Sequence, residues 1–268
     1  MRSLWTFLWR DIQNELSYGF SFFMQMLSVF PPVLLFFFLT QFIGGAVSDH
    51  LQDYGGRYFP FVLIGLAVQG YLSTSLSGLS AAMREAQLSG TFEALLSTPA
   101  RLPVLIIGSA LYPFLLSTIR TAVLLIFGCL LSDAGFHWGR LPSAMLVSAL
   151  TMVAFFSLGL VSAGFIVLFK KGDPLNWLFN VVPGLLSGVY FPVSVLPPGL
   201  LREMSSWIPV THSVEALRAL LLGDQSLLSA QYHVMALFLW ASIGLPAGYL
   251  WLRFAVSRAR RTGALGHY

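Results

Sequence analysis

Few side chains in this sequence could carry out acid–base or metal chemistry, and their spacing assembles no catalytic group. The five histidines stand at positions 50, 137, 212, 233 and 267, and none has the H-E-x-x-H spacing of a metalloprotease. Neither of the two lysines, Lys170 and Lys171, follows a glycine, so a G-x-x-x-x-G-K-[ST] phosphate loop is absent. His212 and Glu215 stand three residues apart, a spacing more typical of a satisfied loop pair than of an acid–base dyad. The sequence therefore predicts no catalytic residue, no metal site and no cofactor held by this chain.

The rest of the sequence is that of an integral membrane protein. It is 56% hydrophobic and only 10% charged, with a mean hydropathy of +0.76. A helical span needs about 20 apolar residues, and six runs reach that length: 20–44, 58–80, 102–131, 141–169, 174–196 and 233–256. The sequence thus predicts an all-α membrane protein with six transmembrane helices in a single domain, 1–268.

The distribution of Lys and Arg predicts the orientation of these helices, because positive residues are retained on the cytoplasmic side of short loops. With both termini inside, ten fall in inner segments and four in outer ones, Arg57, Arg140, Arg202 and Arg218. Both termini are therefore expected in the cytoplasm. The net charge of +4 is then explained by topology and by contact with lipid headgroups, and it does not indicate a nucleic-acid partner.

Two segments outside the spans have helical patterns of their own. In residues 1–18, Leu4, Leu8, Ile12 and Leu16 recur on one side of a helix, which predicts an amphipathic helix in the inner interface. In the outer segment 197–232, we expect one short helix from Leu200 to Trp207 and a second from about Ser213 to Leu222, ended by Gly223. Glu215 and Arg218 are spaced to pair in the second.

Apart from Arg253 near the inner end of the last span, Arg120 is the only strong charge inside a predicted span. An arginine at the bilayer centre costs about 2.5–3.5 kcal/mol. Counted from Leu102, Arg120 lies roughly 27 Å along its helix, which favours a side chain that extends to the outer headgroups. The alternative is contact with a bound molecule, since Tyr112, Pro113 and Ser117 mark a polar or kinked face of the same helix.

Three motifs occur in order along the chain and carry a family resemblance. They are GTFEALLSTP at 90–99, SGVYFP at 187–192 followed by VLP at 195–197, and P-x-x-H-x-x-E-A-L-R at 209–218. With the N-terminal helix and six spans, they resemble the permease subunit of type-2 ATP-binding-cassette (ABC) exporters over nearly the whole chain. In that family the segment between the second and third spans, here 81–100, is a coupling helix that docks on a separate ATPase subunit. The short helices before the last span are typically re-entrant.

The resemblance implies a multi-pass protein of a bacterial inner or plasma membrane, in which two copies of this chain assemble with two cytoplasmic ABC ATPase subunits. ATP and Mg²⁺ would be bound by those subunits. The residues expected to contact them are Arg84, Glu85, Gln87, Gly90, Thr91, Phe92 and Glu93, with a smaller second contact at Lys170 and Lys171.

The fifth span is the candidate for the dimer seam or the translocation path. Pro183, Gly184 and Gly188 weaken regular helix there and allow close approach of a neighbouring backbone. Tyr190 and Phe191 either narrow the path or are ordinary interfacial aromatic residues. Arg120 is a further candidate for the path.

The expected substrate is an amphipathic drug-like or lipid-like molecule, with a lipid-linked polysaccharide as the alternative. An ATP-independent channel or ion-coupled carrier would need a polar filter or titratable groups at depth, and no Asp or Glu lies in any predicted span. An intramembrane enzyme would need a nucleophile or metal constellation, which the spacing does not provide.

Overall fold

The structure is a computed structural model that describes residues 5, 9, 11–13, 19–43, 51–52, 54–88, 102–132, 135–169, 174–223 and 225–261. Over these ranges the chain is helical and contains no strand, as its composition predicts. The helices bounded in the structure are α1 (Gly19–Leu27), α2 (Phe30–Ile43), α3 (Tyr58–Leu88), α4 (Leu102–Leu131), α5 (Leu141–Phe169), α6 (Pro174–Leu186), α7 (Leu200–Trp207), α8 (Pro209–Leu221) and α9 (Gln231–Arg261).

Five helical stretches are long and apolar enough to cross a membrane: Phe22–Ile43, Tyr58–Glu85, Ile106–Leu131, Trp138–Phe169 and Gln231–Ala259. They correspond to the first four predicted spans and the sixth. The first is interrupted at Ser28 and Val29, where α1 ends and α2 begins. The Ser28 hydroxyl donates to the Gln25 carbonyl at this break, at 2.6 Å.

The predicted fifth span, 174–196, is not confirmed as a membrane-crossing helix. Its helix, α6, has 13 residues, a length of about 20 Å against a bilayer core of about 30 Å. The helix ends at Leu186 because Gly188 takes the left-handed conformation, with φ of +76°. Pro192 then precedes a 3₁₀ turn at Val193–Val195. The described part of the chain therefore supports five spans and leaves a sixth unconfirmed.

Helix α5 lies at the centre of the bundle, with α9 packed along one side and α3 along another. The α3 and α5 backbones touch, since the Gly159 Cα lies against the Ser75 carbonyl with no room for a Cβ. Buried apolar side chains form one cluster near α8, around Leu72, Phe155 and Val214, and a second around Leu79, Leu160 and Leu252. These contacts pack α3 along the centre of the bundle.

The segment before the last span folds largely as its sequence predicts. Helix α7 has the predicted bounds, and α8 begins at Pro209, earlier than the predicted Ser213, because proline is favoured in the first helical turn. The α8 side chains Val210, Val214, Leu217 and Leu220 are buried, and the helix packs against α3, α5, α7 and α9. Whether α7 and α8 re-enter a membrane stays a prediction.

The predicted N-terminal helix lies mostly outside the described residues. The residues that are described, Trp5, Trp9 and 11–13, are helical, and Trp5 and Trp9 are exposed. This placement is compatible with tryptophans at an interface.

Candidate functional site

A buried arginine joins three elements at one end of the bundle. Arg218 of α8 is 0% exposed, and its guanidinium donates to the carbonyl oxygens of Phe61, Gly188 and Val189 at 2.7–3.2 Å. Its Cζ also lies 3.3 Å from the centroid of the Phe61 ring. Only a planar guanidinium offers enough donors in fixed directions to serve three carbonyls at once. Arg218 therefore fastens α8 to α3 and to the connection between α6 and α7.

The charge of Arg218 is compensated locally. Its Nη1 lies 3.7 Å from the Glu215 Oε1, which confirms the predicted pair, and the Tyr54 hydroxyl donates to the Glu215 Oε2 at 2.8 Å. Burial lowers the pKa of Arg218 to about 10, and the Glu215 carboxylate opposes this shift. The side chain remains cationic at neutral pH. Within the predicted outer segment 197–232, Arg218 is thus enclosed by protein.

A polar face runs along the middle of α3, where lipid contact would favour apolar side chains. Gly70, Ser73 and Ser77 are exposed there, three or four residues apart and thus on one side of the helix. The partly buried Gln69 and Thr74 adjoin this face. These residues lie near the middle of a 31-residue helix. Such a face suits contact with water, protein or a polar ligand rather than with acyl chains. We call residues 69, 70, 73, 74 and 77 the polar face of α3.

A small polar cavity adjoins the polar face of α3. It has a volume of about 260 Å³ and is lined by Gln25, Thr74, Ser77, Gly78, Tyr112, Pro113, Leu116, Ser117 and Arg120. The Thr74 hydroxyl donates to the Ser117 Oγ at 3.2 Å, and the Arg120 Nη2 donates to the Ser28 Oγ at 3.2 Å. The residues predicted to mark a polar face of α4, Tyr112, Pro113 and Ser117, thus line a cavity together with Arg120. We call it the Arg120 cavity.

Arg120 lies deeper in the bundle than its distance from Leu102 suggests. Helices α3 and α4 are antiparallel, with Leu63 against Gly128, Thr74 bonded to Ser117, and Gly78 against Pro113. This register places Arg120 level with about residue 71, near the middle of the apolar run 58–80. The Arg120 side chain bonds Ser28 at the break between α1 and α2.

The small residues predicted for the dimer seam are buried within their own chain. Pro183, Gly184 and Gly188 are all enclosed, and Gly188 faces Arg218. Gln69 Nε2 donates to the Asn180 carbonyl at 3.0 Å, which fixes α6 against α3. The side chains that α6 exposes are instead large and apolar: Trp177, Leu178, Val181 and Leu185.

Tyr190 and Phe191 are partly exposed beside the Arg218 contact. The Tyr190 ring stacks on Phe36 of α2 with centroids 5.6 Å apart, and its carbonyl accepts a hydrogen bond from the Tyr58 hydroxyl at 3.0 Å. These contacts hold Tyr190 in place between α2 and α3. The constriction and the interfacial belt both stay predictions for these two aromatic residues.

The predicted ATPase contact is described only in part. Arg84 and Glu85 are exposed near the end of α3, and Gln87 lies in its last turn. The other predicted residues lie outside the described ranges: Gly90, Thr91, Phe92, Glu93, Lys170 and Lys171.

A histidine pair borders an apolar groove between α7, α8 and α9. His212 Nε2 lies 2.9 Å from the Ser206 carbonyl, so this nitrogen is the donor, and His212 Nδ1 lies 3.1 Å from the His233 Nδ1. In the neutral pair, His212 Nδ1 therefore accepts from His233. Burial, with the neighbouring His233, lowers the pKa of His212, although the Ser206 bond and Glu215 oppose the shift. The nearest polar partners of His212 are thus Ser206 and His233, where the sequence indicated Glu215.

The groove beside this pair has a volume of about 760 Å³ and exposes mainly apolar and aromatic side chains, among them Trp207, Tyr232 and Trp240. Among the described residues, no group of three or more His, Cys, Asp or Glu side chains is placed to hold a metal ion.

The polar face of α3 and the burial of Arg218 were not predicted. A signal for the first exists in the sequence, since Gln69, Ser73 and Ser77 recur every fourth residue within an apolar run. A signal for the second is weaker: Arg218 follows Val214 and Leu217 and precedes Leu220 and Leu221, so apolar residues surround it on the helix.

Comparison with known proteins identifies the family. The family model described as "ABC-2 type transporter" matches residues 2–222. The chain is 25% identical over 222 residues to Nodulation protein J of Rhizobium leguminosarum bv. viciae, covering 82% of this chain and 83% of the relative. It is 26% identical over 188 residues to Nodulation protein J of Sinorhizobium fredii (strain NBRC 101917 / NGR234), covering 70% of each. With five apolar helices long enough to span a bilayer, the chain is a multi-pass membrane protein that belongs to the ABC-2 type transporter family, the permease component of an ABC transporter.

Proposed function

We propose that this chain forms, as a homodimer, the translocation path of an ATP-driven exporter, and that a separate cytoplasmic ATPase subunit drives it. The observation that carries the proposal is that one helix bears two features. Helix α3 has the polar face at its middle and exposed Arg84 and Glu85 near its end. Its 31 residues form a rod about 46 Å long. An ATPase that displaces the Arg84 end therefore also moves the polar face.

The rest of the coupling surface follows α3 in sequence. The segment that contains Gly90, Thr91, Phe92 and Glu93 joins α3 to α4 in sequence, and Lys170 and Lys171 follow α5 in sequence. With both termini in the cytoplasm, all of these residues face the ATPase. ATP and Mg²⁺ are bound there and not by this chain.

The dimer forms around the polar face of α3, which two copies turn toward each other across the path. The exposed apolar side chains of α6 supply the seam, with Trp177 and Leu185 as its largest contacts. Tyr190 and Phe191 narrow the outer end of the path. Pro183, Gly184 and Gly188 act within each copy, where they shape the short α6 helix.

The transported molecule is an amphipathic drug-like or lipid-like compound. The polar face suits its headgroup, and the large apolar surfaces suit its hydrocarbon part. The alternative is a lipid-linked polysaccharide, favoured by the wide groove that exposes Trp207, Tyr232 and Trp240, since aromatic rings with polar edges suit sugar contact. Among the described spans no carboxylate lies at mid-depth, which disfavours an ATP-independent carrier.

Co-purification with the ATPase tests the coupling. We expect the purified chain alone to hydrolyse no ATP, and the tagged chain co-expressed with its ATPase to retain it through detergent purification. The double variant Arg84→Glu, Glu85→Arg should lose most of the ATPase, because it reverses the charges offered by the end of α3. Arg253→Glu, an exposed charge reversal on α9, is the control and should retain it. Retention by both variants would contradict the coupling surface.

A further inference from the structure

We infer that the Arg120 cavity binds the anionic oxygen group, a carboxylate, phosphate or sulfate, of an amphiphile whose hydrocarbon part lies in the membrane. The inference rests on the proposed export function and specifies its substrate class. The register of α3 and α4 sets Arg120 near the middle of the apolar run 58–80, where an unpaired cation is costly and is generally functional.

Arg120 has no counter-charge among the residues that the structure describes. Among the described residues, Arg120 forms no ion pair, and its one hydrogen bond is the donation from Nη2 to the Ser28 hydroxyl at 3.2 Å. A guanidinium has five N–H donors and no acceptor. Most of its donors are thus available toward the cavity, and a bidentate oxyanion is the group they fit best.

The surroundings of Arg120 are polar. Hydroxyl or amide groups of Gln25, Thr74, Ser77, Tyr112 and Ser117 line the same cavity. Thr74 and Ser77 already donate, to the Ser117 Oγ and the Ser73 carbonyl. The Ser117 hydroxyl accepts from Thr74 and keeps its own proton to donate to an oxyanion. In contrast, Arg218 spends its donors on backbone carbonyls and pairs with Glu215. The two arginines therefore differ. Arg218 makes structural contacts within the protein, and Arg120 faces a cavity.

The volume of the cavity decides which part of the ligand it holds. Drug-sized ligands occupy pockets of about 300–1,000 Å³, whereas this cavity has about 260 Å³. It can hold a headgroup with some water, since one water takes about 30 Å³. The hydrocarbon part must lie outside it, between the exposed apolar side chains that face the membrane. This division requires a molecule with one anionic end and one apolar end.

Binding of dodecyl phosphate to the purified chain in phosphatidylcholine nanodiscs tests the inference. We expect saturable binding to the wild-type chain and at least tenfold weaker binding to Arg120→Gln. Arg202→Gln, an exposed arginine bonded to the Ser194 carbonyl, is the matched control and should bind like wild type. Equal binding by Arg120→Gln and wild type would overturn the inference, as would inorganic phosphate that binds as well as dodecyl phosphate.

Two further arms keep the test decisive. If Arg120→Gln does not fold, Ser77→Leu replaces it, because leucine fills the cavity from an exposed position and leaves the cation in place; unchanged binding would then overturn the inference. Competition by phosphatidylglycerol would identify a membrane lipid as the source of the anionic group, and its failure would identify a single-chain cargo. Both support the site. The assay uses no ATPase, so loss of the coupling surface and loss of the anion site are separate outcomes.

Discussion

The Arg218 Nη1 donates to the Gly188 carbonyl oxygen at 2.7 Å, a contact between residues 30 positions apart. This contact explains why the fifth apolar run, 174–196, stops being helical after Leu186. A helical Gly188 would direct its carbonyl along the helix axis, whereas the left-handed φ of +76° turns the chain so that Gly188 and Val189 both offer carbonyls to one guanidinium. The same guanidinium bonds the Phe61 carbonyl, so one side chain ties the α6–α7 connection to the first turn of α3.

Loss of the Arg218 guanidinium should destabilise the fold strongly. Arg218→Gln leaves the Glu215 carboxylate without its cation. The three carbonyls lose their donor and stay shielded from water, which predicts a loss of about 3–5 kcal/mol in the free energy of unfolding. The measurement is thermal unfolding in detergent, followed by size-exclusion chromatography. Arg202→Gln is the matched control because Arg202 is exposed. Equal melting of the two variants would show that the buried contacts contribute little.

Substitution of Gly65 should destabilise the same region through the backbone. A Cβ on Gly65 would overlap the Val189 carbonyl, whereas a Cβ on Gly70 of the same helix meets nothing within 4 Å. Gly65→Ala should therefore cost about 1–3 kcal/mol by overpacking, and Gly70→Ala should be neutral or gain up to about 1 kcal/mol of helix propensity. Thermal unfolding of both variants compares them. A Gly65→Ala protein as stable as Gly70→Ala would mean that α3 and the Val189 connection separate readily.

How well each helix could be predicted from the sequence depends on whether its contacts are local in sequence. The runs 102–131 and 141–169 have the bounds of α4 and α5 because uninterrupted apolar residues specify a spanning helix by themselves. Helix α7 was likewise predicted from residues inside and beside it. The fate of the run 174–196 was not predictable in this way. It depends on Arg218, and the other partner of that guanidinium, Phe61, is 157 residues away.

The Arg120 cavity was likewise predictable from the sequence only in part. The polar residues of α4 were visible in sequence, but the depth of Arg120 was not, since it depends on the register with α3. Counting from Leu102 gives only a distance along α4, which has 30 residues, about 45 Å, and is longer than the bilayer core. The Thr74–Ser117 bond supplies the reference that the sequence lacks.

Acidification should weaken the packing of α8 against α7 and α9 through His212. Its pKa is lowered, chiefly by burial and also by His233, while Glu215 acts in the opposite direction. The folded protein then binds fewer protons than the unfolded chain, so stability rises with pH in this range. The contribution of His212 is complete above the unfolded pKa of about 6.5 and is lost as the pH falls below it. Protonation of Nδ1 also places a second donor against His233.

Thermal unfolding at pH 7.5 and at pH 5.5 measures this effect. The wild-type protein should melt at a lower temperature at pH 5.5, and His212→Gln should reduce the difference between the two values. His137→Gln controls for histidine content, because His137 contacts the Leu221 carbonyl and not this pair; it should keep the wild-type difference. A His212→Gln protein with the full wild-type difference would place the pH dependence elsewhere.

The polar face of α3 should be accessible to water if it lines the path. In a Cys129→Ala background, Ser73→Cys and Ser77→Cys should react with a membrane-impermeant methanethiosulfonate reagent in the assembled transporter, because thiolates form and react only where water reaches them. Leu115→Cys on α4 is the control, since Leu115 is also exposed but lies on an apolar surface, and lipid contact should protect it. ATP with vanadate should change the rates at the two α3 positions, since the proposed coupling moves α3 as a rigid rod. Equal, low reactivity at all three positions in both states would place α3 against lipid and remove the polar face from the path.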